Sequence, residues 1–256
     1  MTTPALRLER VGHVLRVTLA RPDRRNAFDS ELIAALTEAF ADVGEARAVI
    51  LGGDGSSFCA GADVEWMRAS TDLSFDENVE DARALRRMLE AVDTCPAPVV
   101  ARIQGHALGG GCGLVACADV GIAADDAVFA FSEVKLGIIP AVISPFVLAR
   151  IGAGAARRYF ATGERFDAVT ARRIGLVHEV TARHGLDGAV EQVLDEIFSA
   201  GPEALRAAKR LVLDAPLDGE ETARRIAGRR TSPEGQEGLR AFLERREASW
   251  RTHPDT

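Results

Sequence analysis

Two glycine-containing turns carry the residues best suited to chemistry. The first reads Ser57-Phe-Cys-Ala-Gly-Ala-Asp-Val-Glu-Trp-Met67, the second Gly105-His-Ala-Leu-Gly-Gly-Gly-Cys-Gly-Leu114. Each follows an apolar run with strand character and leads into a helical pattern. A helix N-terminus presents N–H groups without intrahelical partners and a partial positive charge. Small residues let a substrate oxygen approach those groups closely. Two such turns converging would form an oxyanion hole, where fixed donors meet charge that develops in the transition state. Spacing alone leaves another reading open, because Gly109, Gly110 and Gly111 also permit tight packing. The triplet is not a phosphate loop, since no Gly-Lys-Ser/Thr follows it.

The elements that must hold these turns follow from periodicity. Odd positions from Val11 to Leu19 are Val, His, Leu, Val and Leu, which predicts a strand. Asp29 and Ser30 are N-cap candidates for a helix with Leu32, Leu36, Phe40 and Val43 on one face. Ala48 to Gly52 and Pro98 to Ile103 read as buried strands, and Ser74 to Val92 as an amphipathic helix. Leu108 to Ala118 is small and apolar all round, so a helix there must be buried. Val120 to Ala124 and Val128 to Phe131 are short strands. After Pro140 helices are expected over 141–150, 153–161, 167–173, 185–199, 202–213, 218–229 and 233–248. Pro202 stands at the first helical position after Gly201. The pattern is an α/β core followed by a helical C-terminal segment.

Composition narrows the function classes. The chain has 256 residues and a net charge of −7, against general nucleic-acid or membrane binding, though its 31 Lys and Arg leave room for a local basic patch. No apolar run approaches a membrane span, and the start at Met1 has no leader pattern, so a cytoplasmic protein is the default expectation. Cys59, Cys95, Cys112 and Cys117 form no CxxC pair. His13, His106, His178, His184 and His253 share no ligand spacing, and no metal site is expected.

Five stretches together resemble the enoyl-CoA hydratase/isomerase, or crotonase, superfamily over almost the whole chain. They are Arg21 to Asp29 (RPDRRNAFD), Phe58 to Val64 (FCAGADV), Gly105 to Cys112 (GHALGGGC), Phe131 to Pro140 (FSEVKLGIIP) and Glu234 to Phe242 (EGQEGLRAF). The resemblance implies an α/β fold, a crotonase-like spiral of ββα units over 1–199, with a helical C-terminal segment over 200–256 that covers the coenzyme A site or mediates oligomerisation. It implies an acyl-CoA thioester as partner, coenzyme A being part of the substrate with no separate cofactor. It also implies a homo-oligomer, a trimer or dimer of trimers. Ala62 and Gly110 would supply the oxyanion N–H groups, and Glu133 would be the catalytic carboxylate. Arg24, Arg25, Asn26, Ala60, Ala62, Asp63, Val64, Gly110 and Gly113 would form the substrate and coenzyme A surface. Phe242 and Arg245 would lie near the adenine.

Two departures from the family pattern bear on the reaction. Well-known hydratases of the family carry a second glutamate where this chain has Gly113. A lone Glu133 suits a hydratase that returns the water's proton, a Δ3,Δ2-enoyl-CoA isomerase, or a non-catalytic acyl-CoA-binding protein. Ala141 to Val147 (AVISPFV) replaces a glycine-rich run. With Gly113 and Ala161 to Phe166 (ATGERF), this resembles bacterial methylglutaconyl-CoA and carboxygeranoyl-CoA hydratases, of leucine and acyclic terpene breakdown. On that reading Gly113 leaves room for a branched acyl group or ordered water, with Ser144 and Trp66 lining it. Hydration of a 2-enoyl-CoA is the leading expectation.

Overall fold

The computed structural model describes residues 5–251. The leader reading at residues 1–4 and His253 fall outside the described residues.

The chain opens with β1 (Leu6–Val11) and β2 (Val14–Leu19), an antiparallel hairpin. The single strand expected over 11–19 is therefore divided. Gly12, at φ +54°, turns the chain where the alternation of Val11 and His13 looked continuous. α1 (Ser30–Ala41) follows, with the Asp29 side chain accepting from the Leu32 N–H. Then come β3 (Ala48–Gly53), α2 (Val64–Ser70) and α3 (Phe75–Asp93). α3 starts at a capping box between Ser74 and Glu77. Next are β4 (Val99–Ile103), β5 (His106–Leu108), α4 (Gly110–Cys117), β6 (Val120–Ala124) and β7 (Val128–Ala130).

α5 (Ser144–Thr162) covers two of the expected helices and breaks between them at Gly152, φ +69°. β8 (Phe166–Asp167), α6 (Ala168–Arg173), β9 (Glu179–Thr181) and α7 (Leu186–Ser199) follow. α8 (Pro202–Leu213), α9 (Gly219–Thr231) and α10 (Pro233–Glu244) end the regular structure. α10 stops short of residue 248 because Arg245 turns left-handed, with φ +53°.

One six-stranded sheet has the order β1-β2-β3-β4-β6-β9, parallel apart from β1. Both faces are covered, so its central strands are apolar at consecutive positions. Leu15, Val17, Val49, Leu51 and Ala101 belong to the core that includes residues of α1, α3 and α4. Val14, Ala48, Ile50, Val100 and Ile122 meet Leu186, Val190 and Phe198 of α7 on the other face. A three-stranded sheet, β5-β7-β8, carries the second glycine turn away from the large sheet.

Two basic side chains tie the C-terminal helices to the sheet. The Arg47 guanidinium donates to the carbonyls of Phe198, Ala200 and Trp250. Lys209 of α8 pairs with Asp119 at 2.7 Å. No helix of the described residues is long and apolar enough to cross a membrane.

Candidate active site

The two glycine turns are joined by backbone pairing. Phe58 N–H donates to Gln104 O at 2.7 Å, Cys59 N–H to His106 O at 2.9 Å, and Leu108 N–H to Cys59 O at 3.0 Å. A second parallel bridge pairs Phe28 with Ala62. Phe28 N–H reaches Gly61 O and Asp63 N–H reaches Phe28 O, both at 2.7 Å. In such a bridge the facing residue uses its neighbours, so the Ala62 N–H points away from Phe28. Gly110 is the first residue of α4, and its N–H has no intrahelical partner. Ala62, Gly110 and Glu133 all line one cavity of about 360 Å³.

Close approach explains the glycines. A Cβ at Gly61 would lie 2.9 Å from the Leu108 carbonyl oxygen, and one at Gly110 2.8 Å from Cε2 of Phe28. At Gly111 a Cβ would overlap the Cys59 carbonyl oxygen and lie 3.1 Å from Cys59 Cβ. The tight packing that the glycines permit is thus what lets the two turns touch.

Glu133 opens a single 3-10 turn, Glu133–Leu136, after β7. A Cβ at Gly109 would come within 3.2 Å of its Oε1, so the carboxylate lies against the second turn. Its Oε2 is buried and has no hydrogen-bond partner among the described residues. Burial raises its pKa above the ordinary glutamate value of 4.5, opposed by its own backbone N–H. An orphaned, half-buried carboxylate facing a cavity is suited to exchanging a proton with a ligand.

Other expected residues are divided among different places. Ala60 lines the cavity. Asp63 is buried at the start of α2, accepting from Glu65 N–H at 2.8 Å and from Arg24 at 3.2 Å. Arg24 and Arg25 are exposed beside this turn, with Arg25 O accepting from Ala60 N–H at 3.0 Å. Val64 is exposed and does not line the cavity. Trp66 packs against the core and also forms cavity wall. Ser144 does neither; its hydroxyl donates to Ala141 O at 2.8 Å. Phe242 is 81% exposed on α10, and neither it nor Arg245 lines the cavity.

Asn26 departs from the expectation of a coenzyme A contact, because it is fully buried. Its amide donates to Asp54 O at 2.9 Å and Ser57 O at 2.8 Å, and its oxygen accepts from Arg21 N–H at 2.9 Å. It clasps the loop that enters the first turn. Asn26→Ala should cost about 3 kcal/mol, since it orphans buried backbone groups and puts alanine at positive φ. Urea unfolding of the variant measures this.

Gly113 is the second departure. It is buried, does not line the cavity, and a Cβ there would stand 2.6 Å from Cγ2 of Ile143. Ile143 fills the room expected for a branched acyl group or water, with Leu89 Cδ2 at 3.4 Å from the same point. Gly113→Ala should therefore lower stability by about 1–3 kcal/mol through overpacking. The double variant Gly113→Ala/Ile143→Val should recover part of that loss in the same unfolding measurement.

Several cavity residues escaped the sequence reading. Phe28 supports both turns, and Ile138, Ile139, Pro140 and Val142 form an apolar wall. Asn78, Asp81, Ala82 and Leu85 present one face of α3 to the cavity. Their i, i+3, i+4, i+7 spacing was visible, but Asn and Asp on a helix face ordinarily indicate solvent.

Paired sheets, two touching glycine turns and trailing helices define the α/β crotonase fold. The chain belongs to the enoyl-CoA hydratase/isomerase family, whose model matches residues 9–253. An enoyl-CoA hydratase structure from Shewanella pealeana shares 39% identity at a TM-score of 0.91, covering 96% of each chain. The Pseudomonas aeruginosa AtuE structure shares 37% identity at a TM-score of 0.94, covering 97% of this chain and all of that one. The crotonyl-CoA hydratase of Syntrophomonas wolfei is 31% identical, covering 95% of this chain and 96% of its own length.

Proposed function

We propose that this protein adds water across the double bond of a 2-enoyl-CoA thioester. One observation carries the reading: Ala62, Gly110 and Glu133 line a single cavity. The thioester oxygen would accept from the Ala62 and Gly110 N–H groups. Ionised Glu133 would orient a water and take its proton as the water oxygen bonds to C3. The electron pair of the double bond moves onto the thioester as an enolate, which the two N–H groups stabilise. Glu133, now protonated, returns that proton to C2. Each donor in such a hole is worth about 3 kcal/mol of barrier.

Arg24 and Arg25 supply charge for coenzyme A phosphates at the rim of the first turn. Within the acyl group, the 3-methyl branch of a 3-methylglutaconyl-like substrate suits the apolar wall. Its free carboxylate has no Lys, Arg or His among the described lining residues, which argues against that ester and for an uncharged branched chain. The segment from residue 200 is our candidate for oligomerisation into a trimer or dimer of trimers. It exposes Val212, Phe242 and Leu243; light scattering would measure the assembly.

The test uses pure protein with crotonyl-CoA and 3-methylglutaconyl-CoA, following loss of enoyl-thioester absorbance. No change with either overturns hydration. Ile143 in the place of a second carboxylate favours a competing reading, a Δ3,Δ2-enoyl-CoA isomerase using Glu133 alone. A 3-enoyl-CoA separates the two, because isomerisation would create the conjugated absorbance. A non-catalytic acyl-CoA-binding protein would bind the ester and show no rate to lose in Glu133→Gln.

A further inference from the structure

At the α2–α3 side of the cavity the wall changes from apolar to polar. Ser70, Asn78 and Asp81 line it there. Their hydrogen-bonding capacity is one-sided. The Asn78 amide donates to Leu73 O at 3.1 Å and Ser74 O at 3.0 Å, which leaves its side-chain oxygen as acceptor. The Ser70 hydroxyl donates to Met67 O at 2.8 Å, leaving its lone pairs. The ionised Asp81 carboxylate can accept but not donate, and it makes no hydrogen bond or ion pair among the described residues. The side-chain donors of Ser70 and Asn78 are committed, while their acceptor oxygens and the Asp81 carboxylate remain.

Glu133 is the other carboxylate of the cavity, and the lining includes no Lys, Arg or His among the described residues. Resting on the acyl-CoA reading above, we infer that Asp81, with Asn78 and Ser70, selects an acyl chain whose distal end carries a hydroxyl and rejects one ending in a carboxylate. A hydroxyl entering this region would donate to an acceptor that otherwise loses water without compensation. A distal carboxylate would meet the like charge of Asp81. A plain alkyl end would lose the water bound to Asp81 and gain only apolar contact. Sites that hydrogen-bond a ligand group discriminate strongly against analogues lacking it.

The experiment measures binding of saturated thioesters by calorimetry, so it does not require turnover. Hexanoyl-CoA, 6-hydroxyhexanoyl-CoA and adipoyl-CoA differ only at the distal carbon. The wild type should bind the hydroxy ester about tenfold more tightly than hexanoyl-CoA, and adipoyl-CoA at least tenfold more weakly than the hydroxy ester. Asp81→Asn should bring the hydroxy-to-adipoyl ratio down severalfold, and Asp81→Ala should act in the same direction. A wild type that binds adipoyl-CoA as well as the hydroxy ester overturns the inference. So does a ratio unchanged in both variants. If all three esters bind in this order but no enoyl-CoA is hydrated, the hydration reading fails and the selectivity stands. If no ester binds, both fail.

Discussion

Glu133→Gln is expected to lower the hydration rate by about 10²- to 10⁴-fold, the usual worth of a positioned acid–base group. Glutamine keeps the volume and one acceptor oxygen but cannot take and return a proton. Affinity for a saturated acyl-CoA should change severalfold at most, because the Ala62 and Gly110 N–H groups belong to the backbone. The variant should also be more stable at neutral pH. Burial raises the folded-state pKa of Glu133 above its ordinary 4.5, so ionised Glu133 opposes folding. That cost is complete above the folded pKa and absent below the unfolded one. The gain in Tm on substitution should therefore shrink as pH falls through this window. The same shift predicts an acid limb in kcat/KM with a midpoint above 4.5, since the base acts only when ionised. A variant retaining more than a tenth of wild-type kcat, or an acid limb at or below 4.5, would remove Glu133 from the role of base.

The parts of this molecule that were legible in sequence share a physical trait: local pattern decides them. Ala48 to Leu51 reads as a strand because both of its faces are buried. The all-apolar α4 announces its burial in the same way. Asp29 caps α1 through a contact within three residues. β8 was not legible, since its two residues depend on pairing with β7. The candidate site divides along the same line. Turns of small residues pointed to a possible oxyanion hole, whereas Ala62 and Gly110 as its donors and Glu133 as its base were marked by family resemblance. Asn26 and Gly113 were misread because their surroundings come from distant parts of the chain: the carbonyls of Asp54 and Ser57 hold one, and Ile143 closes over the other. Sequence shows what a side chain can bond to, and tertiary packing determines what is within reach.

The second large effect is expected at Gly111, where one methyl group should act on both turns together. Gly111 is the second residue of α4, immediately after the Gly110 donor. An added Cβ would overlap the carbonyl oxygen of Cys59. That oxygen is no free end that can swing aside. It accepts from Leu108 N–H at 3.0 Å, in the ladder that holds the first turn against the second. Gly111→Ala must therefore push residues 58–62 away from 108–111 and separate the Ala62 and Gly110 N–H groups. Overpacking of this kind costs about 1–3 kcal/mol of stability, and a misplaced oxyanion donor costs about 10²- to 10³-fold in kcat. The two measurements separate the causes. Gly113→Ala meets the end of the Ile143 side chain rather than the backbone of the first turn, so it should lose comparable stability with a smaller loss of kcat. If Gly111→Ala folds with kcat within threefold of wild type, the backbone contact between the turns does not set the geometry of the donors. The oxyanion assignment would then need another source of N–H groups.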